Sequence, residues 1–95
     1  MSEIIRNKLE GSGEHRLICA VLLTYIEDCN KYVRDEIHYR KHLLKKEEYS
    51  NKNIRNLEAL IRLAQTPYTF SLCSYVGIHP DRLVKYLKKQ LKQFE

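Results

Sequence analysis

Glycine and proline are scarce in this 95-residue chain: three glycines and two prolines, and not one of either between Gly13 and Thr66. Nothing in that stretch forces the backbone out of a helix. The alternation of β-branched and polar residues that marks a strand is missing as well. Three scattered glycines also rule out a glycine-rich phosphate loop. Cysteine is sparse and odd in number: Cys19, Cys29 and Cys73, at no metal-like spacing. That pattern reads as reduced thiols in a core, not as a disulfide framework. No apolar run approaches the length a bilayer needs. The longest, Leu17 to Ile26, is interrupted by Thr24 and bounded by charges. The start, MSEIIRNKLEG, lacks the basic-then-apolar layout of a signal peptide. The expectation is a cytoplasmic protein with no membrane partner.

What is present suits a folded domain. Charged residues make up 31% and hydrophobic residues 43%, too apolar for a disordered chain. The length allows one domain with a modest core. The net charge is +5, unevenly spread. Residues 1–30 are net −2, residues 31–55 net +4, and residues 66–95 net +3. A basic surface attracts phosphate polyanions through its field and through counterion release. The plainer reading is a solvated, lysine-rich helix face.

The periodicity predicts an all-α fold: a small helical domain with a long N-terminal helical segment, spanning residues 14–95 behind a frayed or lightly docked arm at 1–13. Ile18, Leu22, Tyr25, Cys29 and Tyr32 recur at steps of four and three from a helix start near Glu14, with Val21 and Ile26 widening the stripe. Beyond Asn30 the stripe drifts toward Val33, Ile37 and Leu44. Unbroken from Glu14 to Tyr49, such a helix would be about 54 Å long. It must either break, near Asn30 or at Tyr39 to Lys41, or pair with another subunit. A homodimer seam through Leu22, Tyr25 and Tyr32 is the expectation. Ser50-Asn51-Lys52-Asn53 reads as a loop. A shorter helix follows with Ile54, Leu57, Leu60, Ile61 and Ala64 inward, closed by Thr66-Pro67.

Residues 69–94, TFSLCSYVGIHPDRLVKYLKKQLKQF, carry the most information. Thr69 is a candidate N-cap for a short helix from Phe70 to Tyr75, with Leu72, Cys73 and Val76 inward. Gly77 supplies a positive φ for a turn, and Ile78 plugs the corner. Pro80 and Asp81 start a second helix. Its inner face is Leu83, Val84, Leu87, Leu91 and Phe94, and its outer face Arg82, Lys85, Lys88, Lys89 and Lys92.

This segment resembles the helix-turn-helix superfamily of DNA-binding domains. The match rests on a small residue, Cys73, with glycine four later, Gly77. The apolar plugs Ile78 and Leu83 follow, and Leu72 and Val76 flank the small residue. Cysteine replaces the usual alanine, and Asp81 stands where phosphate would repel it. More loosely, the chain is similar to small phage-type proteins, uncharacterised or terminase-like, that end in a G-I-x-P-x-x-L stretch, here Gly77 to Leu83. The resemblance implies double-stranded DNA as partner, with residues 80–94 as recognition helix in the major groove. His79, Asp81, Arg82 and Lys85 would reach base edges, Arg82 forking onto a guanine. Lys88, Lys89 and Lys92 would meet phosphates, and Thr69 and Ser71 would donate to phosphate at the start of the first helix. The alternative is a small protein-interaction module, a phage-type inhibitor or adaptor with a protein partner.

No catalytic grouping is legible, so an enzyme is not expected, nor is a cofactor or metal. His38 and His42 are four apart, a spacing that can hold a metal, but two exposed histidines on a basic helix is the simpler account. The adjacent carboxylates Glu27/Asp28, Asp35/Glu36 and Glu47/Glu48 diverge on a helix and read as solvated charges. Tyr25, Tyr32 and Tyr39 fall every seven residues on one stripe, which suits core or interface better than base stacking.

Overall fold

A computed structural model describes residues 2–6, 13–42 and 51–95. The fold is all-α: five helical segments and no strand among the described residues. They are α1 (Ser2–Arg6), α2 (Gly13–His42), α3 (Lys52–Ala64), α4 (Pro67–Tyr75) and α5 (Pro80–Lys92). No described helix is long and apolar enough to cross a membrane.

The long helix does not break at Asn30 or Tyr39. α2 runs for 30 residues, about 45 Å at the helical rise, and sets the 51 Å long axis of the molecule. With no glycine or proline inside it, nothing interrupts its hydrogen-bond ladder. α3 and α5 pack on α2 and on each other, and α4 contacts all three. A strip of Cys19, Leu22, Leu23, Tyr25, Ile26 and Cys29 from α2 meets Leu57, Leu60, Ile61 and Ala64 from α3 and Leu83 and Leu87 from α5. Wholly burying a leucine of this kind contributes about 1.5–3 kcal/mol.

Several expectations need correction. Leu22 and Tyr25 do not form a dimer seam, because this chain's own helices bury them to 1% and 6% exposure. Tyr32 is half-buried against the same core. For the N-terminal arm, read as frayed or lightly docked, the described start takes the docked alternative: Ile5 is 1% exposed in the core, and Arg6 approaches Glu27 at 3.9 Å. Asn51 is the N-cap residue of α3, so Lys52 and Asn53 are helical, not looped; Ser50 lies outside the described residues, as do Leu44, Glu47 and Glu48. Glu36 is not a solvated charge. It is fully buried and accepts a 2.7 Å hydrogen bond from Arg40 Nε, while the Arg40 guanidinium lies 5.0 Å over the Phe94 ring. A buried carboxylate needs such a cation and donor to offset its lost hydration. All three cysteines are free and buried. Burial pushes the Cys29 thiol up to about 11 from 9.0 and raises Cys73 too.

Candidate nucleic-acid interface

α4 starts earlier than its sequence suggested. Thr66, not Thr69, is the N-cap, and Pro67 takes the first helical position, where a missing N–H costs nothing. The Thr66 hydroxyl oxygen accepts from the Thr69 N–H at 3.4 Å, and the Thr66 carbonyl accepts from the Phe70 N–H at 3.1 Å. Thr69 itself is fully buried. Its hydroxyl donates to the Leu63 carbonyl at 2.8 Å and lies 3.0 Å from the Tyr25 hydroxyl. Thr69 therefore cannot reach a phosphate; it ties α4 to α2 and α3. Ser71 is exposed on α4.

The turn into α5 follows from one glycine. Gly77 has φ 74°, a conformation that costs any residue with a Cβ. It lets the Gly77 N–H donate to the Ser74 carbonyl at 3.2 Å and the Ile78 N–H to the Cys73 carbonyl at 2.8 Å. This is a Schellman closure, and it satisfies carbonyls the helix end would leave open. Ile78 and Cys73, both buried, supply the apolar contact that accompanies it.

α5 begins at Pro80 with His79 as N-cap. The Asp81 N–H donates to His79 Nδ1 at 3.3 Å, and the Asp81 carboxylate lies 3.7 Å from that same nitrogen. One nitrogen cannot do both at once. Leu83 and Leu87 anchor the inner face in the core, while Val84, Leu91 and Phe94 are half-buried beside them. Tyr86 reaches α2, where its hydroxyl donates to Asn30 Oδ1 at 3.0 Å. Its pKa is raised by burial first and by neighbouring Cys29 second, against the hydrogen bond to Asn30, which lowers it.

With the inner face anchored, the outer face is set. Arg82, Lys85, Lys88, Lys89 and Lys92 are all exposed. Arg82, Lys85, Lys89 and Lys92 recur at steps of three, four and three, so they form one line about 15 Å long. Lys88 turns aside toward α3 and rims a groove of about 430 Å³ with Glu58, Arg62, Lys92 and Glu95 over a floor of Ile61 and Leu91. Helix α5 ends at Lys92, with Gln93 and Phe94 in a turn. Of the predicted site, His79, Asp81, Arg82 and Lys85 share the exposed start of α5, while Thr69 stands apart in the core. His38 and His42 face each other on α2 with ring centroids 4.4 Å apart. The sequence reading missed the exposed apolar side chains of α4, Tyr68 and Phe70 at its start and Tyr75 at its end. Their signal was available: aromatic residues too closely spaced for all to face inward from one short helix.

No protein-family model, curated protein or solved structure matches this chain.

Proposed function

We propose that this protein binds double-stranded DNA through the outer face of α5, as a transcription regulator or phage-type DNA-binding protein. The single observation that supports this reading is the line Arg82, Lys85, Lys89 and Lys92, exposed along one side of a helix whose other side is fixed in the core. Four cations borne on one side of a helix that is already formed displace counterions from phosphates, with only their side chains left to order. A major groove admits a helix of this width, and Arg82, in the first turn, carries a fork that matches guanine acceptors. Asp81 opposes phosphate, and its place in the reading is a contact with a cytosine amino group. Binding of a labelled random-sequence duplex, followed by fluorescence anisotropy at low salt, tests the proposal. The reading expects binding that weakens steeply as salt rises.

A second reading has its own observation. Leu63 is 44% exposed, Tyr68 60% and Tyr75 51%. Exposed aromatics of this kind suit a protein partner, and a protein-binding module is the function that remains if the duplex is not bound.

A further inference from the structure

The ten residues from Leu17 to Ile26 carry no charge on any side of α2. A helix that is uncharged all round is normally covered all round. Here only one side is covered. Cys19, Leu22, Leu23, Tyr25 and Ile26 are buried, whereas Leu17 is 66% exposed, Ala20 and Thr24 are exposed, and Val21 is half-buried. Helical spacing places Leu17, Ala20 and Thr24 on one line, opposite Ile26. The Thr24 hydroxyl donates to the Ala20 carbonyl at 3.0 Å, so it is satisfied within the helix and requires no polar partner across this face. Small side chains at the centre of such a face let a second helix approach to about 8 Å between axes.

We propose that a second copy of this chain docks here, the two α2 helices packing antiparallel about a two-fold axis midway between Ala20 and Thr24. Charge selects this occupant. In that register Ala20 lies opposite the partner's Thr24, and Arg16 lies on the same edge as the partner's Glu27. The two-fold repeats the pair, so two Arg16–Glu27 contacts flank one apolar centre. Arg16 is exposed, and Glu27, 65% exposed, meets Arg6 of its own chain only at 3.9 Å. Copies meeting through residues 31–55 or 66–95, net +4 and +3, would repel more strongly than copies meeting through residues 1–30, net −2, where the two Arg16–Glu27 contacts offset the remaining like charge. A nucleic acid finds no line of cations on this face. The inference does not depend on what α5 binds, because α5 is not used.

Sedimentation equilibrium of the full chain over a concentration series reads the outcome. The mass should rise from 11.4 kDa toward twice that value. Ala20→Arg with Thr24→Arg should weaken association at least about tenfold with helical circular dichroism unchanged. Should that variant fail to fold, Leu17→Lys at its exposed site is the substitute and should weaken association likewise. Glu27→Arg should weaken association, and adding Arg16→Glu should restore part of it; both variants lose the Arg6 contact, so the difference isolates the pair across the interface. A monomer at every concentration overturns the proposal, including a monomer that captures only an unrelated protein. So does association unaffected by the arginine variant or by Leu17→Lys, or a double charge swap that restores nothing.

Discussion

The outer faces of α5 and of the first half of α2 are both exposed on the same helical framework, yet they are opposites. α5 presents Arg82, Lys85, Lys89 and Lys92, while α2 presents Leu17, Ala20 and Thr24 with no charge. The inner faces of both helices are apolar and share one core: Leu83, Val84, Leu87 and Leu91 on α5, and Cys19, Leu22, Leu23, Ile26 and Cys29 on α2. The core decides which way each helix turns, and the outward residues decide what each can meet. A line of cations attracts a polyanion at long range, whereas an uncharged face acts only at contact. Substitutions that break the shared core should therefore disable both faces, and outward ones should disable one at a time.

The largest effect is expected at Leu87, which is fully buried. Leu87→Ala should cost about 2–5 kcal/mol in urea unfolding, the lost transfer plus the cavity left behind. Any function of either face should fall with the folded fraction. Thr69→Val comes next. It removes the hydroxyl that meets the buried Tyr25 hydroxyl and should cost about 1–3 kcal/mol through that lost bond, while the Leu63 carbonyl keeps the Thr66 hydroxyl as donor at 2.7 Å. Duplex affinity of the folded variant should not change, because Thr69 is buried; a loss of affinity at full folding would return Thr69 to the interface. Gly77→Ala should cost about 1–2 kcal/mol, since the turn holds φ at 74°.

Alkaline pH tests the core without mutation. The folded protein holds the Cys29 thiol near 11, against 9.0 for the free group, so folding favours the protonated form. The unfolded chain then binds fewer protons between those values. Stability should be whole below pH 9.0 and fall as pH rises toward about 11. Cys29→Ala should flatten that decline in denaturant melts; an equal decline in the variant would assign it to other groups, Cys73 and Tyr86 among them. The smallest effect is at Asp81. Asp81→Asn removes a negative charge from the start of α5 and should cost a few tenths of a kcal/mol in stability, while tightening nonspecific duplex binding a few-fold by titration.

Much of this was legible from residues alone. The absence of glycine and proline from residue 14 to residue 66, with apolar steps of three and four, marked the helices. Gly77, Ile78 and Pro80 marked the turn, because each acts on its own backbone. What stayed hidden depended on distant partners. Thr69 looked like a cap, yet Tyr25, 44 positions away, and Leu63 claim its hydroxyl. Glu36 looked solvated, yet Arg40 and the packing around it hold it inside. Leu22 and Tyr25 looked like a seam because a long amphipathic helix does not reveal what covers its stripe. The outward cations of α5 were plain once Leu83 and Leu87 fixed the inward side, but which polyanion they meet depends on a ligand.

The most direct test is the salt dependence of duplex binding by wild type and by Arg82→Ala/Lys85→Ala. On a random-sequence duplex Arg82 has no fixed guanine to read and all four cations of the line face phosphates, so log K should fall with log salt at a slope of about −3 to −4, and removing two cations should bring the slope near −2. No binding at low salt, or the same slope in both proteins, would contradict the assignment of α5 to DNA.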